Sequence, residues 1–136
     1  MSKLIVYCDG ASKGNPGEAG IGYVIKDEKG EIIKKVGDYI GHATNNVAEY
    51  TALKRALLDC LKLKGKEVAV YSDSQLMVKQ LKGEYGVKNK GLIILYNEVM
   101  DLIQRFDTFI INHIPREKNK EADKLANHGI DRGLTK

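Results

Sequence analysis

The spacing of hydrophobic and polar positions along the chain is first typical of β-strands and then of a helix. Residues 3–9, 20–26 and 31–39 read as three strands, and the turn DEKG joins the second strand to the third as a hairpin. From Thr44 to Leu63 the apolar positions recur with helical spacing instead. The first half of the chain is therefore predicted to be a three-stranded meander followed by an amphipathic helix.

The second half alternates between strands and helices. EVAVYSD (67–73) predicts a fourth strand, SQLMVKQLKG (74–83) a short helix, residues 92–106 a longer helix, and TFIINHI (108–114) a fifth strand before a final helix. The predicted order is βββαβααβα. This order indicates an α/β fold, a five-stranded mixed sheet with helices on both faces. The first and fourth strands are nearly all apolar, so we expect them to be central neighbours covered by helices on both sides.

Two aspartates end these two apolar strands, Asp9 in VYCD and Asp73 in VYSD. Open α/β sheets bind ligands at the carboxyl ends of parallel strands, so neighbouring strands would bring both carboxylates together. Either aspartate alone is better explained as a cap or turn where the chain leaves the sheet. Glu49 adds weight to a shared site because it lies on the apolar stripe of the first helix. An unpaired ionised carboxylate there is costly unless it is protonated, paired with a base or bound to a metal.

A fourth acid, Asp123, lies near the start of the last helix. No lysine or arginine is obviously placed to neutralise the four acids. Carboxylate oxygens are the ligands that Mg²⁺ and Mn²⁺ prefer in proteins. The sequence therefore predicts a metal site at this edge of the sheet, followed along the chain by a glycine-rich loop.

Four motifs, DGASKGNPG, TNNVAEYTAL, SDSQL and REKNKEADKLAN, occur in this order, and through them the chain resembles the type 1 ribonucleases H. The resemblance covers nearly the whole chain and implies one ribonuclease H domain over residues 1–136. It implies that Asp9, Glu49, Asp73 and Asp123 are the catalytic and metal-binding acids, with Mg²⁺ as the cofactor and Mn²⁺ as a possible substitute.

The resemblance also implies a set of substrate contacts. Ser12, Asn15, Asn45 and Gln75 would touch the RNA strand and its 2′-hydroxyls. Thr44 and Asn46 would lie near the DNA strand or its phosphates. We further expect the glycines after Asp9 to let the backbone approach the nucleic acid closely.

The reaction implied by the family is hydrolysis of the RNA strand of an RNA/DNA hybrid. Two metal ions would activate a water and stabilise the leaving 3′-oxygen, giving a 5′-phosphate and a 3′-hydroxyl. Many family members carry a basic protrusion after the motif that contains Asp73, but here that region is the short segment KGEYGVKNKG. The chain lacks the protrusion, so hybrid binding is expected to be weaker and more sensitive to salt.

Two residues near the last helix are possible auxiliary groups. His113 lies ten residues before Asp123, the interval at which some family members place a loop histidine. It falls within a strand pattern, however, so we expect packing to fix its side chain. Arg116 follows Pro115 in the loop itself, and its guanidinium carries donors suited to a phosphate.

Composition is consistent with this interpretation without deciding it. The net charge of +4 favours an anionic partner such as nucleic acid. Cys8 and Cys60 are expected to be reduced thiols in the core, and neither a membrane span nor a secretory signal is evident. We therefore expect a cytoplasmic monomer that acts on RNA/DNA hybrids and does not bind membranes.

Two alternatives stay open at this point. A transposase- or integrase-like core would share the fold class and the acidic cluster but would cleave DNA. A noncatalytic module would bind the hybrid without cutting it. A sugar kinase or actin-like ATPase, which also places an acid before a glycine loop, needs two lobes and far more than 136 residues.

Overall fold

The computed structural model describes residues 2–135 and contains strands and helices in the predicted order. The strands are β1 (Lys3–Gly14), β2 (Gly17–Lys26), β3 (Ile32–Ala43), β4 (Glu67–Ser72) and β5 (Thr108–His113). The helices are α1 (Asn45–Lys62), α2 (Gln75–Leu81), α3 (Lys90–Ile103) and α4 (Lys120–Leu134), and a short 3₁₀ turn (Arg116–Lys118) precedes α4. None of these helices is both long and apolar enough to cross a membrane.

The strands form one mixed sheet in the order β3-β2-β1-β4-β5. The meander β1, β2 and β3 is antiparallel, whereas β4 runs parallel to both β1 and β5. The predicted adjacency of the first and fourth strands is confirmed. Their register places Cys8 opposite Ser72, so the residues that follow, Asp9 and Asp73, lie at the same edge of the sheet.

Helices cover the two faces of the sheet unequally. On one face, Leu4, Val6 and Cys8 of β1 are fully buried beneath α1. On the other face, α4 packs mainly on β2 and β3, and less on β1. Tyr71 of β4 lies beyond α4, where it stacks on Tyr7 and stays half-buried. The expectation that helices cover both faces of β4 therefore holds only on the α1 side.

The segment DGASKGNPG is a β-hairpin rather than a loop. Strand β1 continues past Asp9 to Gly14, and β2 begins at Gly17. A Cβ atom on Gly10 would lie under 3.0 Å from backbone atoms of Ala48 and Glu49 in α1. Gly10 therefore permits the close approach of a helix, a role that the sequence interpretation did not assign to it.

Polar side chains fix the start of each of the first three helices. Thr44 Oγ1 accepts a hydrogen bond from the Val47 N–H at 3.2 Å, and Ser74 and Asn89 make the equivalent bonds at α2 and α3. Such caps satisfy backbone donors that would otherwise have no partner within the helix. Thr44, one of the predicted substrate contacts, thus also has a local role at the start of α1.

Replacing Gly10 by alanine should destabilise the fold, because the added methyl group collides with the backbone of α1. We expect Gly10→Ala to lower the free energy of unfolding by about 1–3 kcal/mol. Gly86→Ala is the matched control, since a Cβ atom there meets nothing within 4 Å. Urea unfolding of both variants measures the difference, and equal stability of the two would show that α1 does not need this close approach.

Candidate active site

Three acids converge at the edge of the sheet where β1 and β4 lie side by side. Asp9 lies within β1, Asp73 directly follows β4, and Glu49 lies on α1. One carboxylate oxygen from each lies within 4.8 Å of the other two. Asp9 and Glu49 are only 5% and 7% exposed. The structure thus assembles, from three separate elements, a compact and largely buried group of carboxylates.

The backbone N–H of Gly10 holds two of these acids together. It donates to Asp9 Oδ1 at 3.0 Å and also to Glu49 Oε1. Because residue 10 has no side chain, α1 approaches β1 closely enough for Glu49 to reach this donor. The position of Glu49 therefore depends on the absence of a side chain at residue 10.

Burial and mutual repulsion make the acids difficult to ionise together. Burial raises the pKa of Asp9 far above its usual range, and the hydrogen bond to Glu49 and the charges of Glu49 and Asp73 raise it further. Burial likewise raises the pKa of Glu49, although hydrogen bonds from Asp9 and Gly10 oppose the shift. The pKa of Asp73 is also raised, chiefly by burial. A cation at this point would favour the ionised state of all three carboxylates.

An unsatisfied oxygen supports the fit of a metal to this group. Asp73 Oδ2 is buried and has no hydrogen-bond partner in the described chain. A buried carboxylate oxygen without a partner is costly, and coordination would remove that cost. Mg²⁺ and Mn²⁺ take such hard oxygen donors and commonly keep positions free for substrate phosphates. The donor set, the spacing and the unpaired oxygen therefore fit a divalent metal.

Asp123 faces the same cleft from the first turn of α4. The cleft has a volume of about 440 Å³, and Asp9, Glu49, Asp73 and Asp123 all line it. Asn127 Nδ2 donates to the Asp123 backbone carbonyl at 2.9 Å and to Asp123 Oδ1 at 3.3 Å. Asn127 therefore restrains the carboxylate, a role that the sequence interpretation missed although its spacing of four residues on a helix could have indicated it.

Arg116 lines the cleft as well, at the start of the 3₁₀ turn. Its positive charge lowers the pKa of Asp73, opposing the effect of burial. This corrects the interpretation that no arginine or lysine is placed to neutralise the acids.

His113 ends β5, as the strand pattern predicted, but its side chain is exposed and does not line the cleft. The expectation that packing fixes His113 is wrong.

Asn119, between Arg116 and Asp123, is a second residue that the sequence interpretation missed. It is 1% exposed, and its Nδ2 donates to the carbonyl of Cys8, the residue before Asp9, at 2.9 Å. Its backbone carbonyl accepts the N–H of Asp123 at 3.1 Å. It therefore ties the beginning of α4 to β1. Nothing in the polar run REKNKE distinguishes this asparagine from its exposed neighbours.

The six predicted substrate contacts surround the cleft without all lining it. Ser12, Asn45 and Asn46 line it, whereas Asn15, Thr44 and Gln75 do not. Asn15 Oδ1 accepts the backbone N–H of Asn45 at 3.0 Å, which fastens the hairpin tip to the start of α1. Ser12 Oγ donates to the carbonyl of Ala43 at 2.9 Å. The hairpin and α1 thus form one continuous polar wall beside the acids.

The chain is similar over nearly its whole length to known proteins and to a family profile. A family profile described as "Reverse transcriptase-like" matches residues 7–129. Ribonuclease HI of Halobacterium salinarum is 42% identical over 95% of this chain and 65% of that protein. The bifunctional protein Rv2228c of Mycobacterium tuberculosis is 40% identical over 95% of this chain but 36% of its own length. The chain thus spans less than two thirds of these relatives. Ribonuclease H of Acidovorax sp. is 32% identical over 98% of this chain and 99% of that protein.

Solved structures resemble the fold just as closely. The crystal structure of RNase H1 from Halobacterium salinarum matches with a TM-score of 0.93 and 40% identity, covering 96% of this chain and 99% of that one. LC11-RNase H1, solved in complex with an RNA/DNA hybrid, matches with a TM-score of 0.90 and 45% identity, covering 96% and 99% of the two chains.

Without metal, replacing the ionisable side chain of Asp9 by a neutral one should stabilise the fold at neutral pH. The pKa of Asp9 is higher in the folded than in the unfolded state, so its contribution to stability is present at low pH. This contribution is lost as pH rises from about 4. We expect metal-free Asp9→Asn to be at least as stable as the wild type at pH 7, with a gain of up to about 2 kcal/mol.

Thermal melting in a chelator across roughly pH 4 to 8 measures this effect, since the variant should lose less stability than the wild type as the pH rises. Asp101→Asn, on the exposed surface of α3, serves as the control for removing one charge. A large drop in the melting temperature of metal-free Asp9→Asn would instead make Asp9 a structural residue.

Proposed function

This chain belongs to the ribonuclease H family, and on that premise we propose that it hydrolyses the RNA strand of RNA/DNA hybrids. The products would be 5′-phosphate and 3′-hydroxyl ends. The observation that carries the proposal is the group of three largely buried carboxylates within 4.8 Å, one of which has an oxygen without a partner. The hybrid bound to LC11-RNase H1 supports the substrate class.

The cofactor in this proposal is Mg²⁺, with Mn²⁺ as a substitute, held by Asp9, Glu49, Asp73 and Asp123. When bound, the metal would activate water for attack on the phosphodiester and stabilise charge on the leaving oxygen. The residues of the chain provide the geometry for that chemistry. Gly10 orients Asp9 and Glu49 through its N–H, and Asn127 restrains Asp123.

Substrate recognition is assigned to the polar wall formed by the hairpin and α1. Ser12 and Asn45 both line the cleft beside the acids. Together with Asn15 and Gln75, they are proposed to contact the RNA strand and its 2′-hydroxyls, the group that distinguishes RNA from DNA. Asn46 and Thr44, at the start of α1, are assigned to the DNA strand or its phosphates.

The proposal also covers the domain organisation, the oligomeric state and the location of the enzyme. Residues 1–136 would act as one ribonuclease H domain, monomeric and cytoplasmic. The net charge of +4 suits a polyanionic substrate. Only the short segment 82–89 separates α2 from α3. The chain would therefore make fewer phosphate contacts than family members with a basic protrusion. Its affinity for hybrid should fall steeply as the salt concentration rises.

Cleavage of labelled RNA/DNA hybrid, duplex DNA and duplex RNA side by side tests the proposal. We expect the RNA strand of the hybrid to be cut in Mg²⁺ and left intact in excess EDTA, because the water is activated by the metal. Asp9→Asn should abolish cleavage, and Asp101→Asn should retain it. Undiminished cutting in EDTA would contradict the proposal, and binding without cutting would favour a noncatalytic module.

Deoxyribonucleotides placed around a single scissile bond test how the RNA strand is recognised. Removing the local 2′-hydroxyls should abolish cutting at that bond, while flanking ribonucleotides are still cut. The wild-type enzyme with gel-resolved products is sufficient for the measurement. Equal cutting of an all-DNA duplex would favour the transposase-like alternative instead.

The two auxiliary candidates can be separated by mutation. Arg116 lines the cleft and His113 does not, so Arg116→Ala should lower turnover more than His113→Ala. We expect a loss of about 10- to 100-fold for the arginine variant, the effect of one charged hydrogen bond, without abolition. Both are assayed at saturating Mg²⁺ across roughly pH 6 to 9. A larger loss in the histidine variant, with a histidine-like limb of the pH profile removed, would reverse the assignment.

A further inference from the structure

Strand β5 is an edge of the sheet with an uncovered side. Within residues 2–135 it pairs only with β4. Thr108 and Ile114 donate their N–H groups towards β4, to the carbonyls of Lys66 at 3.3 Å and Ser72 at 2.9 Å. Because the direction of backbone hydrogen bonding alternates along a strand, Phe109, Ile111 and His113 present their N–H and C=O groups at the free edge.

An apolar groove of about 370 Å³ runs along this free edge. Its wall is formed by Leu81 at the end of α2 and by Met100 and Ile103 on α3. Phe109 and Ile111 point towards the same side of the sheet, since they are in register with the buried Val68 and Val70. A strand added to β5 would therefore direct every second side chain into this groove.

The strand itself lacks the features that usually protect an edge. The segment TFIINH contains no lysine, proline or carboxylate, and Ile110 on its outer face is 49% exposed. Natural edge strands are commonly blocked by charges, prolines or bulges. The groove contains one cation, Lys82, and no carboxylate among its described lining residues. Its chemistry therefore favours an apolar occupant that carries a negative charge beside Lys82.

A second copy of this chain is a poor occupant of the groove. Its own β5 would have to supply Phe109 and Ile111 on the groove side, and Ile111 is only 6% exposed within its own core. Nucleic acid is also a poor occupant, because a backbone of phosphates needs more than the single cation present. What fits is an extended protein segment whose side chains are free on both faces.

We propose that β5 and this groove bind an extended segment of a partner protein by strand addition. The segment has apolar residues at alternate positions and a carboxylate that pairs with Lys82. The groove shares no lining residue with the catalytic cleft. Such binding would recruit the enzyme to a partner without blocking the site where hybrid is cut.

Hydrogen exchange of the backbone amides, followed by NMR, tests the proposal on the intact protein. The probe is a short blocked peptide with valine at every second position and glutamate at both ends. At about ten times its Kd it should slow exchange of the Phe109, Ile111 and His113 amides about tenfold. A peptide with glycine in place of valine should have no effect, because it leaves the groove empty.

Two variants distinguish groove binding from a nonspecific effect. Met100→Glu should weaken peptide binding at least about tenfold, the cost of a desolvated charge. Ile94→Glu, on an exposed part of the same helix, should not weaken it. Lys82→Glu should weaken the peptide with glutamate ends and strengthen one with lysine ends. Melting temperatures confirm that each variant folds, and hybrid cleavage by Met100→Glu should match the wild type.

Three results would overturn the proposal. The first is an absence of protection at these amides with saturating peptide. The second is binding that is unchanged in both Met100→Glu and Lys82→Glu. The third is protection of the same amides that rises with protein concentration and without peptide, which would make a second copy the occupant.

Discussion

The site depends on the close packing of α1 against β1 at Gly10. The absent side chain lets the helix backbone approach the strand, and the Gly10 N–H then meets both Asp9 and Glu49. This places like charges within 4.8 Å in a largely buried position, which opposes folding unless they are protonated or bound to a cation. The same geometry that makes the three carboxylates costly to ionise together suits a bound cation, which would offset their repulsion. Such a trade of stability for a preorganised site is common in enzymes.

Much of this arrangement could be predicted from sequence because the relevant signals are local. Two apolar strands that both end in aspartate predict a shared edge, and parallel pairing of β1 with β4 brings Asp9 and Asp73 to it. Glu49 is conspicuous because an acid on an apolar helical stripe has few satisfactory environments. The resemblance of four motifs then extended the prediction to the roles of these residues.

Other parts depend on contacts between distant segments and could not be predicted. The glycine-rich segment after Asp9 pairs as a hairpin, because β2 provides partners that no local pattern specifies. Asn119 is buried where it donates a hydrogen bond to the carbonyl of Cys8, 111 positions away in the chain. The alternation around His113 correctly predicted a strand, but alternation does not reveal that β5 is an edge whose last side chain is exposed. Arg116 comes near Asp73 only through the fold, which brings the 3₁₀ turn and the end of β4 to the same cleft.

Thermal melting with increasing Mg²⁺ tests most directly whether the acidic cluster is a metal site. Wild type should gain stability with Mg²⁺ concentration, as expected for a ligand that binds only the folded state. Asp73→Asn, which changes the carboxylate with the unpaired oxygen, should lose most of that gain, whereas Asp101→Asn should keep it. The account would be contradicted if Mg²⁺ raised the melting temperatures of wild type and Asp73→Asn equally, or raised neither while the wild type still cleaved hybrid.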